Sequence, residues 1–186
     1  MPDLSKTSIR IYFLAAVLTL YSLSASCFNP FSPSVIEPSA LKPIAPQVDP
    51  DSVLHNFKYA YENRDSIVYE NCLDQDFIFR YWDQDELEGV VERTFLRPVD
   101  LKATKALFRS FDDIRLDTWK VSEAPDTVAG DEIWKVRNVT FHLSLRDTDG
   151  DYNYQHMEAT GFAEFLFRQS EEDNLWRIVR WTDEST

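Results

Sequence analysis

The sequence has little cysteine, little positive charge and no long apolar run, and each shortage removes a class of protein. Only two of the 186 residues are cysteines, Cys27 and Cys72, so a disulfide scaffold is excluded. Lys and Arg total 19 against 32 Asp and Glu, a net charge of -13. Without clustered cations the chain has no means of gripping a phosphate backbone, so nucleic acid is not an expected partner, and anionic lipid surfaces are disfavoured for the same reason. The apolar run Ile11 to Leu20 is too short to span a bilayer comfortably as a permanent helix. No arrangement of residues forms a recognisable catalytic motif, and neither a cofactor nor a metal is expected. What is present is ample apolar material: 44% hydrophobic residues, 14% aromatic and five tryptophans, enough for the core of one domain of ordinary size.

The N-terminus has the layout of an export signal, with Lys6 and Arg10 ahead of the apolar run and small residues after it. The segment Ser24-Ala25-Ser26-Cys27 resembles the bacterial lipobox, although Leu23 stands one place earlier than that pattern's leucine. The resemblance implies that Cys27 becomes diacylated and N-terminal, holding the protein to a membrane by lipid. Phe28 follows it where an aspartate would mark retention, which by the same resemblance implies an outer-membrane anchor facing the periplasm. Cleavage after Ala25 or Ser26 without lipidation, or an uncleaved anchor, are the alternatives. Residues 28–50 carry prolines at 30, 33, 38, 43, 46 and 50 and no helical or alternating period, and read as an extended tether. The domain is expected over 51–186. Lipidation of Cys27 leaves Cys72 unpaired; it shares a helical face with Val68 and reads as a small buried hydrophobe.

Within the domain, Asp51-Ser52 is a plausible helix start before Val53, Leu54, Phe57, Ala60 and Tyr61. Asp65 caps a second helix running to Leu73, Asp76 to Trp82 alternates as a strand, and Val99 to Phe111 is a third helix with Leu101, Thr104, Leu107, Phe108 and Phe111 on one face. No element is expected between Trp82 and Pro98. Four strands follow, Ile114 to Val121, Glu132 to Arg146, Tyr152 to Arg168 and Leu175 to Asp183, giving an α+β arrangement of helices on a curved antiparallel sheet.

Tyr59-Ala60-Tyr61, Asp65-Ser66-Ile67-Val68-Tyr69, Asp76-Phe77-Ile78-Phe79 and the closing Trp176-Arg177-Ile178-Val179-Arg180-Trp181-Thr182-Asp183 carry a resemblance to the NTF2-like superfamily, also called SnoaL-like or cystatin-like. It covers about residues 51 to 183. The resemblance implies three helices closing a cone with an apolar pocket, for which Tyr61, Phe79, Tyr81 and Phe108 are the ligand-binding candidates. It also implies two classes of role. One is non-catalytic, a small-ligand site or pairing of two copies through the sheet, and the other an isomerase or dehydratase using a carboxylate or histidine base with a tyrosine. Tyr61 and Tyr81 with Asp117, His142 or Glu158 are the candidates for that chemistry. The tryptophans are expected in the core, the pocket wall or a dimer face. A three-residue turn at Thr148-Asp149-Gly150 would set His142 opposite His156 and Thr140 opposite Glu158, outside the main apolar face, whereas a two-residue turn would separate the histidines. Neither supplies a clear third metal ligand, and Asp147-Thr148-Asp149-Gly150-Asp151 lacks the residue order of a calcium loop.

Overall fold

A computed structural model of the chain describes residues 44–85, 89–148, 150 and 156–184. The export segment, Cys27 and the tether as far as residue 43 lie outside the described residues. Among the described residues no helix is long and apolar enough to cross a membrane.

Helix α1, Pro50–Asn63, begins before the expected Asp51-Ser52 because Asp49 is its cap. The Asp49 carboxylate accepts from Ser52 N at 2.7 Å while Ser52 Oγ accepts from Asp49 N, a reciprocal pair that satisfies two otherwise orphaned amides. Pro50 sits at the first helical position, where its missing N–H costs nothing. The chain is already fastened ahead of this cap. The side chain of Asn56, 2% exposed, accepts from Ala45 N and donates to Ala45 O, both at 2.8 Å. Gln47 accepts at its carbonyl from Trp176 N and returns its side-chain amide to Trp176 O. The last residues of the proline-rich segment therefore belong to the folded body.

Helix α2, Ser66–Cys72, is capped by Asp65 as the sequence indicates. Strand β1 (Leu73–Asp85) follows, then β2 (Gly89–Leu96), helix α3 (Arg97–Ser110), and strands β3 (Asp113–Ala129), β4 (Glu132–Arg146), β5 (His156–Gln169) and β6 (Trp176–Asp183). Strand β2 is not expected from the sequence. It folds back on β1 with Phe95 opposite Phe79 and Arg93 opposite Tyr81, and ion pairs from Arg80 to Glu92 and Arg93 to Asp83 bind its polar residues across the hairpin.

The six strands form one sheet in the order β2-β1-β6-β5-β4-β3. Four of the joints are antiparallel, but β1 and β6 run parallel, so the sheet is mixed where a wholly antiparallel one is expected. Interruptions of register at Leu116/Thr118, Ala124/Thr127 and Leu166/Phe167 bend the strands. The result is an open, curved sheet with the three helices packed on its concave side, the α+β cone that the resemblance implies. Its core joins Val53, Leu54, Phe57 and Ala60 of α1 to Val139, Phe165, Phe167 and Ile178 of the sheet, all at most 2% exposed.

The β4–β5 register differs from both expected ones. His142 faces Thr160 and not His156, and Thr140 faces Phe162 and not Glu158; Asp149 and residues 151–155 lie outside the described residues. The displacement from the three-residue reading is an even number of residues, so the faces are preserved: Val139, Phe141 and Leu143 still point into the cone and His142 away from it.

Candidate functional site

The concave face encloses a cavity of about 90 Å³, lined by Phe57 and Tyr61 from α1, Leu116 and Trp119 from β3, Phe141 and Leu143 from β4, and Ala159, Ala163, Phe165, Trp181 and Asp183 from β5 and β6. Alternation places these side chains: Ala159, Ala163 and Phe165 lie an even number of residues apart, as do Trp181 and Asp183. The wall is one continuous aromatic assembly. Phe57 is stacked on Tyr61 with centroids 5.0 Å apart, meets Trp181 and Phe165 edge-on at 5.4 Å each, and lies parallel to Trp119 at 6.0 Å. Trp181 and Phe165 stack at 5.6 Å.

Of the four pocket candidates, Tyr61 lines this cavity. Phe79 and Tyr81 do not; they extend the aromatic run outward along β1, with Phe79 4.6 Å from Trp181 and 5.6 Å from Tyr81. Phe108 lies on the helix side, edge-on to Tyr61 at 5.3 Å. Phe57, Phe165 and Asp183 are not among the pocket candidates that the sequence offers. Phe57 reads as an ordinary core position on α1, and Asp183 belongs to the closing strand, although its spacing from Trp181 places both on one face. Among the tryptophans, Trp119 and Trp181 form pocket wall, while Trp82 is 43% exposed.

Behind Tyr61 lies a buried polar group that the sequence does not advertise. The Tyr69 hydroxyl donates to Asp100 Oδ2 at 2.8 Å, with Tyr69 1% and Asp100 4% exposed. Loss of water pushes the Asp100 carboxyl up to about 6, the bond from Tyr69 partly opposing it. Burial also raises Tyr61 well above the ordinary tyrosine range; the nearby charges of Asp100 and Asp183 add to the rise, and hydrogen bonds with Thr104 and Tyr69 work against it. Asp100 occupies the first turn of α3, where an acid ordinarily complements the helix dipole from the surface.

The expected bases are elsewhere. Asp117 is exposed at the β3 irregularity, and His142 and Glu158 are on the outer face of the sheet. There Glu158 Oε1 lies 3.0 Å from His156 Nε2 and Oε2 lies 3.8 Å from His142 Nε2. Ser144 Oγ lies 3.3 Å from the same His156 Nε2. A serine relay needs the two ring nitrogens on different partners, so this trio is not a nucleophilic site. Among the described residues no group of three ligating side chains has metal-holding geometry.

A second concavity, about 460 Å³, lies between the end of α2, the start of β1 and the β5–β6 turn. Its cations are already engaged: Arg168 with Asp74 and Asp76 at 2.5 and 3.0 Å, Arg97 with Glu70 at 3.2 Å, and Arg177 with Asp173.

No family model matches the sequence, and no curated protein matches it. Solved structures do match. A conserved protein from Planctomyces limnophilus superposes with a TM-score of 0.53 at 14% identity, covering 73% of this chain and 94% of that one. The Kfla4162 protein from Kribbella flavida gives 0.50 at 12% identity, covering 75% and 88%. An NTF2-like protein of unknown function in nutrient uptake from Rhodospirillum rubrum gives 0.49 at 17% identity, covering 74% and 98%. At such identities the first two show shared fold alone: three helices on an open, curved sheet.

Proposed function

We propose that this chain is an exported protein, held to the outer membrane by lipid on Cys27, whose cone is a non-catalytic receptacle for a small apolar ligand or the apolar end of a larger one. The observation that carries the binding reading is the cavity itself, walled by rings and aliphatic groups, with Tyr61, Asp183 and the buried indole N–H of Trp181, unpartnered among the described residues, as polar members. At about 90 Å³ the cavity is small. Substrate-sized pockets begin near roughly 300 Å³, which argues against an isomerase or dehydratase enclosing its substrate here. Asp117, His142 and Glu158 are absent from the cavity wall; Asp183 is the carboxylate that lines it together with Tyr61. Anchoring rests on the residues around Cys27 and on the proline-rich stretch that follows.

Trp119 and Trp181 supply the test. Titration with linear alcohols of increasing length is expected to give a saturable change in tryptophan fluorescence for short members, abolished in Ala163→Leu, which fills the cavity. A change that never saturates, or that survives in Ala163→Leu, rejects the binding reading. Palmitate labelling lost in Cys27→Ser is the expected result for the anchor, and labelling that persists rejects it.

A further inference from the structure

Helix α3 is held to the body by unusual means. Of its 14 residues only Asp100, Thr104 and Phe108 are buried, a stripe one side chain wide at a spacing of four, and two of the three are polar. Leu101 and Leu107 are only half-buried against the core. Phe108 lies edge-on to Tyr61 at 5.3 Å and to Tyr69 at 6.1 Å, and Asp100 receives the Tyr69 hydroxyl. Because Tyr61 also walls the cavity, α3 backs this wall through Phe108 without itself lining the cavity.

A carboxyl 4% exposed with a phenol for its partner is held more favourably there when neutral than when ionised, because a buried carboxylate needs a cation or several donors. The groups acting on Asp100 are few. From α2 comes the Tyr69 hydroxyl, and from α1 Tyr61, which feels the Asp100 charge and, from β6, that of Asp183. From α3 itself comes Thr104, bonded to Tyr61. Arg97, in the first turn of α3, is paired with Glu70 of α2 at 3.2 Å, and burial and the Tyr69 bond are what act on the Asp100 carboxyl. Lys102 and Lys105 are exposed on α3 and line a concavity together with Ser66, Tyr69 and Glu70 of α2.

We propose that α3 is a proton-operated latch, closed over Tyr61 and Tyr69 while Asp100 is protonated and released when Asp100 ionises. Release turns the carboxylate to water and uncovers the rings of Tyr61 and Tyr69, enlarging a cavity otherwise too small for most ligands. The sign follows from linkage. Asp100 holds its proton up to about pH 6 when closed, against an ordinary value of 3.8, so the closed state binds the proton more tightly. Its advantage is fully present in acid, is lost as pH rises between those two values, and is gone above about 6.

Amide hydrogen exchange of the chain at pH 5.0 and pH 7.5 tests this, taking the ratio of α3 to α1 exchange so that the intrinsic pH dependence cancels. The ratio is expected to rise roughly tenfold at the higher pH. Asp100→Asn is expected to hold it at the low value at both. Tyr69→Phe is the second variant: it removes a bond that favours the ionised carboxyl, so the transition moves to higher pH, whereas a purely structural bond would loosen α3 equally at both. A flat wild-type ratio, a pH response retained in Asp100→Asn, or α1 and the sheet loosening together with α3 overturns the latch.

Discussion

Asp100 is the residue with the largest mismatch between its chemistry and its surroundings. Since its carboxyl is held up at about 6 by burial, at neutral pH it carries an ionisation cost of roughly 3 kcal/mol, about 1.4 kcal/mol for each pH unit above its ordinary value. Asn keeps an acceptor for Tyr69 without that cost. Asp100→Asn is therefore expected to raise unfolding stability in urea at pH 7.5 by about 2 kcal/mol or more, and to leave it nearly unchanged at about pH 2.5, where the carboxyl is protonated in both states. Cys72 is the opposite case. It is buried, lies 3.8 Å from Val53 O, and desolvation pushes its thiol up to about 12. Iodoacetamide should modify it only after denaturant is added; labelling at a free-thiol rate in native buffer would contradict its place in the core. The sequence made Cys72 legible, because Val68 and Cys72 sit one helical turn apart. It did not make Asp100 legible: the expected inner face of α3, Leu101, Thr104, Leu107, Phe108 and Phe111, includes Thr104 and Phe108 of the buried stripe, but an acid in the first turn of a helix ordinarily faces water.

At the scale of elements, α1 and its cap decide where the domain starts. Asp49→Ala removes the acceptor for Ser52 N and is expected to cost about 1 kcal/mol in thermal or chemical unfolding. Asn56→Ala has a different signature, since it breaks both bonds to Ala45 and leaves the helix intact. Proteolysis near Ala45 should accelerate in that variant while cleavage within the sheet does not. Helical spacing and the Asp65 cap made α1 and α2 readable, and period-two patterning made β4 and β6 readable. Strand β2 was hidden because Glu92, Arg93 and Thr94 interrupt its apolar residues; its place is fixed by ion pairs and rings on β1, which local pattern does not encode. The parallel joining of β1 to β6 is invisible for a similar reason, as it unites segments about a hundred residues apart.

For the molecule as a whole, the layout of helices against a curved sheet was legible because alternation and helical period give the inner face of each element separately. The extent of the cavity was not, because its volume depends on how Phe57, Trp119, Phe165 and Trp181 interlock, and four large rings can close a cone or leave it open with the same periodicity. Here they leave a small space that is partly open. The central claim, that this small aromatic-walled space receives an apolar group, is tested most directly on chain isolated from its native host. The protein is denatured, and the small molecules released are quantified by mass spectrometry beside those from Ala163→Leu. The account predicts an apolar compound or acyl chain at near-stoichiometric amount, sharply reduced in Ala163→Leu; an empty wild-type chain, or equal release from both, would contradict it.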